Sequence, residues 1–327
     1  MRLAISITVS IMAVWMTAYG KDTIQQYAIP NEPLRAVISP DNQQLYLLKV
    51  QEPHGALLTI DLKSRRLLHQ VRVGKTPIAM AILTDKDEAY VLNHQSDTVS
   101  VIDLKTQGVV ATIPVGQNPI RLAIAPSGRY IFVSEHGAQG LSVIETENKR
   151  VVKRISVGER PRGVASSTDG RFVYVTHQGA SDMAVIDTAS YNVVTRIHVG
   201  DAPVDIDVLP DGRSALVTNY QSNDVSMVDL KTDAVLKRIP VGRHPMEMAL
   251  TPDGRKAYVI NTEDKSVSVI DTQSFTVVKT ISVPDVPRCT AMASDGQFVY
   301  ITHHGDTHIS IIETSTNRVV EEYKAPL

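Results

Sequence analysis

A cluster of histidines near the end of the chain contains residue types that bind transition metals. His303, His304 and His308 lie close together, with Asp306 between them. Imidazole and carboxylate groups are ligands for Zn²⁺, Cu²⁺ or Ni²⁺. Because consecutive residues of a strand point to opposite faces, His304, Asp306 and His308 close around one ion more easily than the full set. The cluster predicts a Zn, Cu or Ni site, and the alternative is a solvated polar loop.

A second arrangement, of arginine with histidine, occurs twice. Arg162 precedes His177 and Arg288 precedes His303, each pair separated by a hairpin turn. Counting back from each turn places the arginine opposite the histidine. Because a guanidinium group binds carboxylate or phosphate through two parallel hydrogen bonds, these pairs, with Glu135 nearby, predict a site for a small anionic ligand. The alternative is that they line a wet channel and bind neighbouring acids.

Cys289, the only cysteine, directly follows Arg288. A nearby cation lowers the pKa of a thiol, which makes Cys289 a candidate ligand or reactive thiol at the same site. The competing interpretation, a small buried hydrophobic residue, is the one that the sequence favours.

Catalytic motifs do not accompany these groups. The sequence contains no Gly-x-Ser-x-Gly elbow, phosphate-binding glycine loop, His-Glu-x-x-His or paired-cysteine knuckle. A non-catalytic binding protein is therefore expected. The alternative is a periplasmic enzyme or enzyme subunit, such as a lactonase-like hydrolase or a dehydrogenase-associated propeller, with His177, His303 and Glu135 as acid or base groups.

The candidate residues occupy fixed positions in a repeat of 42 residues, the interval from Pro77 to Pro119. One series of prolines keeps this interval: Pro77, Pro119, Pro161, Pro203, Pro245 and Pro287. A series of acids keeps it too: Asp61, Asp103, Glu145, Asp187, Asp229, Asp271 and Glu313. A third series varies in type: Asn93, Glu135, His177, Asn219, Asn261 and His303. The constant series are expected to serve the fold, the acids by accepting backbone N–H bonds in turns, and the variable series to carry function.

Each repeat contains four short strand-like segments separated by turn residues. In the unit that begins at Pro245, the turn Pro252-Asp253-Gly254 predicts a hairpin. Repeats of about 40 residues with four strands are typical of propeller blades. The sequence thus predicts an all-β seven-bladed β-propeller of four-stranded antiparallel blades over residues 21–327. The blades are predicted to begin near Pro33, Pro77, Pro119, Pro161, Pro203, Pro245 and Pro287. Either Thr23–Ile29 or Arg318–Tyr323 is expected to complete the last blade.

The strand ends carry a family resemblance. Tyr90 to Asn93 and Tyr258 to Asn261 read Tyr-Val-x-Asn, and Val-Ser-Val-Ile-Asp and Val-Gly-x-x-Pro recur along the chain. These motifs resemble the YVTN family of seven-bladed propeller repeats. The resemblance implies an exported or surface protein of unassigned role, and it supplies no catalytic residue.

A propeller places most of the histidines at one end of its central channel. The loops between the second and third strands, and the links between blades, lie at that end. They are predicted to carry His54, His94, His136, His177, His244, His303, His304 and His308. The anionic site of Arg162, His177, Arg288, His303, Glu135 and Cys289 is therefore expected at the channel mouth.

The start of the chain predicts export. Arg2, an uncharged apolar stretch from Leu3 to Met16 and the small-x-small sequence Ala18-Tyr19-Gly20 predict a signal peptide over residues 1–20. Its removal leaves no predicted transmembrane segment, so a periplasmic or extracellular location is expected. The formal net charge of −2 and a single tryptophan, Trp15, give no case for nucleic-acid binding. The predicted partner is a protein or small ligand, and the predicted state is a monomer.

Overall fold

The computed structural model describes residues 33–51, 53–304 and 307–326. This part of the chain forms seven antiparallel sheets, each of four strands that follow one another in sequence. Blades 1 to 3 are β1 (Pro33–Ile38), β2 (Gln44–Lys49), β3 (Ala56–Asp61), β4 (Leu67–Arg72); β5 (Pro77–Leu83), β6 (Glu88–Asn93), β7 (Thr98–Asp103), β8 (Gly108–Pro114); β9 (Pro119–Ile124), β10 (Tyr130–Glu135), β11 (Gly140–Glu145), β12 (Arg150–Ser156). Blades 4 and 5 are β13 (Pro161–Ser166), β14 (Phe172–His177), β15 (Asp182–Asp187), β16 (Val193–His198); β17 (Pro203–Val208), β18 (Ser214–Asn219), β19 (Asp224–Asp229), β20 (Ala234–Pro240). Blades 6 and 7 are β21 (Pro245–Leu250), β22 (Lys256–Asn261), β23 (Ser266–Asp271), β24 (Thr276–Ser282); β25 (Pro287–Met292), β26 (Phe298–His303), β27 (His308–Glu313), β28 (Arg318–Lys324).

The first strands of the blades line a central channel and close it into a ring. Each first strand contacts the first strand of the next blade, and β1 contacts β25 of the last blade. The predicted seven-bladed β-propeller is therefore confirmed, and Arg318–Lys324 forms the outermost strand of blade 7. The other candidate for that place, Thr23–Ile29, lies outside the described residues, as does the predicted signal peptide.

The core consists of apolar layers between neighbouring blades. One layer joins Leu45 and Leu58 of blade 1 to Tyr300 and Ile311 of blade 7, and equivalent layers fill the other junctions. Since both faces of each sheet pack on a neighbour, the second and third strands are apolar on both sides. Fully burying one such side chain contributes about 1.5–3 kcal/mol.

Turn chemistry explains the hairpin between the first two strands of a blade and the repeated acid series. Gly254 adopts φ 69°, which the turn requires, and Asp253 accepts the N–H of Arg255 at 3.0 Å. In the repeated acid series, Asp271 accepts the N–H of Ser274 at 2.7 Å, and bonds of this kind hold its pKa below the usual value. The predicted role in turns is confirmed for the five aspartates of the series, whereas Glu145 and Glu313 accept hydrogen bonds from side chains of the same turn, those of Asn148 and Thr316. Blade 2 lacks the glycine and turns through a single 3-10 turn at Thr84–Lys86.

Bulges interrupt the pairing of the innermost and outermost strands. In blade 4 the register shifts between Pro161 and Val164, and equivalent shifts follow the first proline of the other blades. In every outermost strand one residue is skipped in the pairing and exposed: Leu68, Val110, Val152, Val194, Leu236, Val278 and Val320.

Within the described ranges, no helix has the length and apolar character needed to span a bilayer.

Candidate ligand-binding site in the central channel

The variable series lies inside the blades, where it bonds the end of the second strand to the third strand or to the link between blades. Asn261 donates to Ser266 Oγ at 3.1 Å and to Ser268 Oγ at 2.9 Å. Glu135, only 1% exposed, accepts the N–H of Gly116 at 2.6 Å. A Cβ atom on Gly116 would lie 2.2 Å from a carboxylate oxygen of Glu135, which explains the glycine of the Val-Gly motif. These bonds give the variable series a structural role inside the blades.

His177 and His303 replace the asparagine in blades 4 and 7. His303 Nε2 lies 2.8 Å from Ser310 Oγ, the position that corresponds to Ser268 in blade 6. His177 Nδ1 lies 2.8 Å from Asp182, and burial lowers the pKa of this imidazole. Both rings are 0% exposed. The expectation that they face the channel mouth is wrong, because β14 and β26 end inside the blade and not at the channel wall.

The predicted pairing of Arg162 with His177, and of Arg288 with His303, is also wrong. The strands pair Pro161 with His177 and Pro287 with His303. Counting from the turn gives the correct register as far as Val164, and the bulge then shifts the pairing by one residue. The bulge leaves Arg162 outside the ladder, so its side chain extends into the channel.

Arg162 crosses part of the channel mouth. Its Nη1 donates to Gln178 Oε1 at 3.3 Å, and its Nη2 lies 3.9 Å from Met246 Sδ, two blades away. Its Nε is buried without a hydrogen-bond partner among the described residues, which also supply no ion pair to this guanidinium. Burial, followed by repulsion from Arg121, lowers the pKa of Arg162 to about 10. Arg162 is therefore a charged group whose charge is poorly compensated.

Below Arg162, an ion-pair bridge spans the channel. Glu247 of blade 6 accepts hydrogen bonds from Arg35 of blade 1 and from Arg121 of blade 3 on one carboxylate oxygen. The Glu247 side chain is 5% exposed, and those of Arg35 and Arg121 are 24% and 13% exposed. These arginines hold the pKa of Glu247 below its usual value in spite of its burial. The bridge lies one residue further along the first strands than Arg162, between the mouth and the remainder of the channel.

A cavity of about 320 Å³ lies on the other side of this bridge. Arg35, Arg121, Asp205 and Asp207 line it, together with small and apolar side chains of blades 3 to 6. Burial, opposed by Arg121, raises the pKa of Asp205 to about 6. Burial and repulsion from Asp205 raise the pKa of Asp207 well above its usual value. The cavity therefore contains two carboxyl groups that hold protons more tightly than free aspartate does.

Cys289 lies beside the bridge and not at the mouth. Its side chain is 0% exposed, and burial with the neighbouring Glu247 carboxylate raises the pKa of the thiol to about 12. The thiol is therefore protonated at neutral pH. This location agrees with the buried hydrophobic interpretation of Cys289.

The predicted metal cluster is only partly within the described residues. His303 is buried in blade 7, His304 follows it, and His308 begins β27, whereas Asp306 lies outside the described ranges. Among the residues described, no group of three His, Cys, Asp or Glu side chains is arranged to hold a metal ion.

The residue that follows the variable series in each blade forms a second ring of positions, which the sequence patterns did not single out. In blades 2 to 7 its backbone N–H donates to the carbonyl of the residue before the first proline of the same blade, as from His94 to Thr76 at 3.0 Å and from His136 to Asn118 at 3.0 Å. This bond places the residue next to the start of the innermost strand. The ring comprises Val50, His94, His136, Gln178, Tyr220, Thr262 and His304. In the sequence, each member of this ring directly follows a residue of the second-strand end and recurs with the same repeat as the variable series.

Comparisons with known proteins agree with the fold. A family model described as YNCE-like beta-propeller matches residues 78–168, and one described as Cytochrome D1 heme domain matches residues 161–262. No curated protein matches the chain. A solved structure of hydrazine synthase from Kuenenia stuttgartiensis is 22% identical, over 90% of this chain and 99% of that chain, with a TM-score of 0.80. This likeness shows the fold alone. The chain is a seven-bladed β-propeller, and the YNCE-like match with the repeated strand ends supports the YVTN type.

The second family model raises the question of whether the channel suits a haem. Haem iron takes an axial His, Cys, Met or Tyr ligand. The cavity lining supplies only one such group, the thioether of Met248, and the ion-pair bridge closes the cavity at one side. Of the three histidines in the matched segment, His177 is enclosed in its blade, His198 is exposed on β16, and His244 stacks on Tyr220 and does not line the cavity. The residues of the cavity therefore do not fit a haem.

Proposed function

We propose that this protein is an exported, non-catalytic propeller that binds a small oxyanion at the channel mouth through Arg162. The observation that carries the proposal is the position of this guanidinium, partly buried at the mouth with no acid bound to it in the described part of the chain. Burying a charge without a partner is costly, and such groups are retained where a ligand supplies the partner.

The bonding capacity of Arg162 suits an oxyanion. A guanidinium has five N–H donors, and a carboxylate, sulfate or phosphate group accepts two of them in parallel. Only one N–H···O bond of Arg162 to a described side chain is formed, with Gln178. The nearest guanidinium that affects it, Arg121, adds positive charge from below. An anion at the mouth would therefore gain hydrogen bonds and reduce the repulsion between the two arginines.

Export and partner binding complete the proposal. The sequence of residues 1–20 supports a secretory signal, and the rim of loops around the mouth offers a rigid surface for a protein partner. Mass spectrometry of the protein purified from its own host tests export directly. A mature chain that begins near Lys21 is expected, and a retained residue 1 would contradict it.

Calorimetric titration with sodium sulfate and with sodium acetate, at constant ionic strength in chloride, tests the binding site. The Arg162→Gln variant is expected to bind the anion at least tenfold more weakly, because a hydrogen bond to a charged group contributes about 1.5–3 kcal/mol. Arg154→Gln, which removes the same charge from the exposed outer strand of blade 3, is the matched control and should bind as the wild type does. Equal affinity in both variants would overturn the proposal.

An enzyme-associated role is the second candidate, favoured by the match of residues 161–262 to a haem-domain model. The visible absorption spectrum of the protein from its own host distinguishes the two functions. A haem band that co-purifies in stoichiometric amount would favour the enzyme-associated role, whereas a colourless protein that binds sulfate through Arg162 would favour the binding role.

A further inference from the structure

His136 lies beside Arg162 at the channel mouth. It belongs to the ring of residues that follow the variable series, and its imidazole faces the backbone carbonyl of Pro161, the residue before Arg162. In its neutral form the ring donates a hydrogen bond to this carbonyl, as His94 Nδ1 does to the carbonyl of Pro119 at 3.0 Å in the preceding blade. A neutral imidazole held in this way keeps one nitrogen that can take up a proton, next to a poorly compensated guanidinium.

The charged and titratable groups that act on His136 are all bases. Arg162 and Arg160 act on it from the next blade, and His94 acts from the preceding blade. Burial and these neighbours lower the pKa of His136 to about 4. At neutral pH the imidazole is therefore uncharged, although it stands in a group of cations.

We infer that an oxyanion bound at Arg162 draws a proton from solvent onto His136, so that the site preferentially binds doubly charged oxyanions. The inference rests on the proposed function. The anion cancels the field of Arg162 and accepts a hydrogen bond from the imidazolium, and both effects favour the protonated ring. At mildly acidic pH, below the raised pKa of His136, guanidinium and imidazolium then present two positive charges to the ligand. A dianion such as sulfate, a phosphate monoester or a dicarboxylate matches this charge, and a monoanion does not.

The direction of the pH dependence follows from linkage. The pKa of His136 is lowered in the free protein and rises when the anion binds. Protons are therefore taken up on binding at pH values between the two pKa values, and in that range affinity increases as the pH falls, by up to tenfold per pH unit. Sulfate is the best probe, because it stays a dianion throughout and contributes no titration of its own.

Titration of the imidazole by nuclear magnetic resonance, with and without saturating sulfate, tests the inference. The His136 signal is identified by its loss in His136→Gln, and the signal of His198, exposed on β16, is the internal control. Sulfate is expected to raise the pKa of His136 by about one unit or more and to leave that of His198 unchanged. In Arg162→Gln the pKa of His136 should be higher without sulfate, and sulfate should not move it further.

The failure of this inference is distinguishable from the failure of the proposed function. If sulfate binds in a manner that depends on Arg162 but leaves the pKa of His136 unchanged, the proton uptake is refuted and the binding site remains. If sulfate binds equally well to Arg162→Gln, or does not bind at all, both proposals are refuted. Nitrate, a monoanion, should bind more weakly than sulfate, and the preference should decline in His136→Gln.

Discussion

Glu247 and Arg121 come from blades on opposite sides of the channel and meet as a largely buried ion pair, which Arg35 joins from a third blade. Blades 1, 3 and 6 are thus connected through one carboxylate. Neighbouring blades are held by apolar layers, so this bridge is a connection of a different kind, made across the ring. Because the same bridge divides the mouth from the cavity, its loss would affect both stability and access through the channel.

Glu247→Gln should destabilise the protein strongly. Two guanidinium groups would lose their charged acceptor, and removing one partner of a buried pair costs about 3–5 kcal/mol. Urea unfolding at neutral pH measures the change. Glu321→Gln is the control. It breaks a partly exposed ion pair between Arg65 and the outermost strand of blade 7, and it should cost less than about 1 kcal/mol. Similar losses in both variants would show that the bridge is not a buried pair in solution.

His303→Asn should be tolerated, whereas His303→Ala should not. Asparagine is the residue that blades 2, 5 and 6 use at this position, and it can bond to Ser310 as Asn261 bonds to Ser268. Alanine leaves the buried Ser310 hydroxyl without this partner and creates a cavity, at a cost of about 1–3 kcal/mol. The melting temperatures of the two variants, each compared with that of the wild type, measure this difference. Equal destabilisation would indicate that the imidazole has a role beyond that of the asparagine.

The stability of Asp207→Asn relative to the wild type should increase with pH. Because the pKa of Asp207 is raised above its unfolded value of 3.8, the folded state keeps a proton that the unfolded chain has lost. The wild type therefore loses stability as the pH rises from 3.8 towards the folded pKa, and the asparagine variant avoids this loss. Melting temperatures recorded from about pH 4 to about pH 8 should diverge in favour of the variant.

Asp233→Asn provides the control for this experiment. Asp233 is exposed in a turn of blade 5 with φ 55°, a conformation that asparagine also adopts. Its melting temperature should follow that of the wild type at every pH. A constant difference between Asp207→Asn and the wild type would show that Asp207 titrates normally.

Cys289 should resist thiol reagents in the native protein. The side chain is fully buried, and its pKa of about 12 leaves almost no thiolate at pH 8. Ellman's reagent should therefore react slowly with the folded protein and stoichiometrically after unfolding in guanidinium chloride. Complete reaction within minutes under native conditions would place the thiol on an accessible surface.

The sequence is sufficient to predict the fold because the fold depends on local chemistry repeated seven times. Turns such as Asp253-Gly254 specify the hairpin between the first and second strands. Acids such as Asp271 close the turn between the third and fourth strands. Each repeat supplies the same evidence independently, so the blade boundaries follow closely from the prolines. Neither residue type nor spacing, by contrast, reveals whether a charged residue beside the channel is paired with an opposite charge.

The candidate site was predicted only in part because it depends on a bulge and on contacts between distant blades. Arg162 was identified from its chemistry, but the bulge after Pro161 separates it from His177. Its neighbour Met246 comes from two blades away, and counting along a hairpin gives no information on such a contact. The sequence places His136 at this end of the channel, but its contact with the backbone beside Arg162 joins two blades and cannot be predicted from a single repeat.

The skipped residue in every outermost strand has a consequence for the behaviour of the protein at high concentration. An edge strand with regular spacing invites a strand from another molecule to pair with it, which is how ordered aggregates grow. At residues such as Val152 and Val278, the irregular backbone breaks the row of donors and acceptors that an incoming strand would need. The outermost strands of all seven blades are therefore poor templates for pairing with another molecule. The protein should not aggregate through these strands at high concentration.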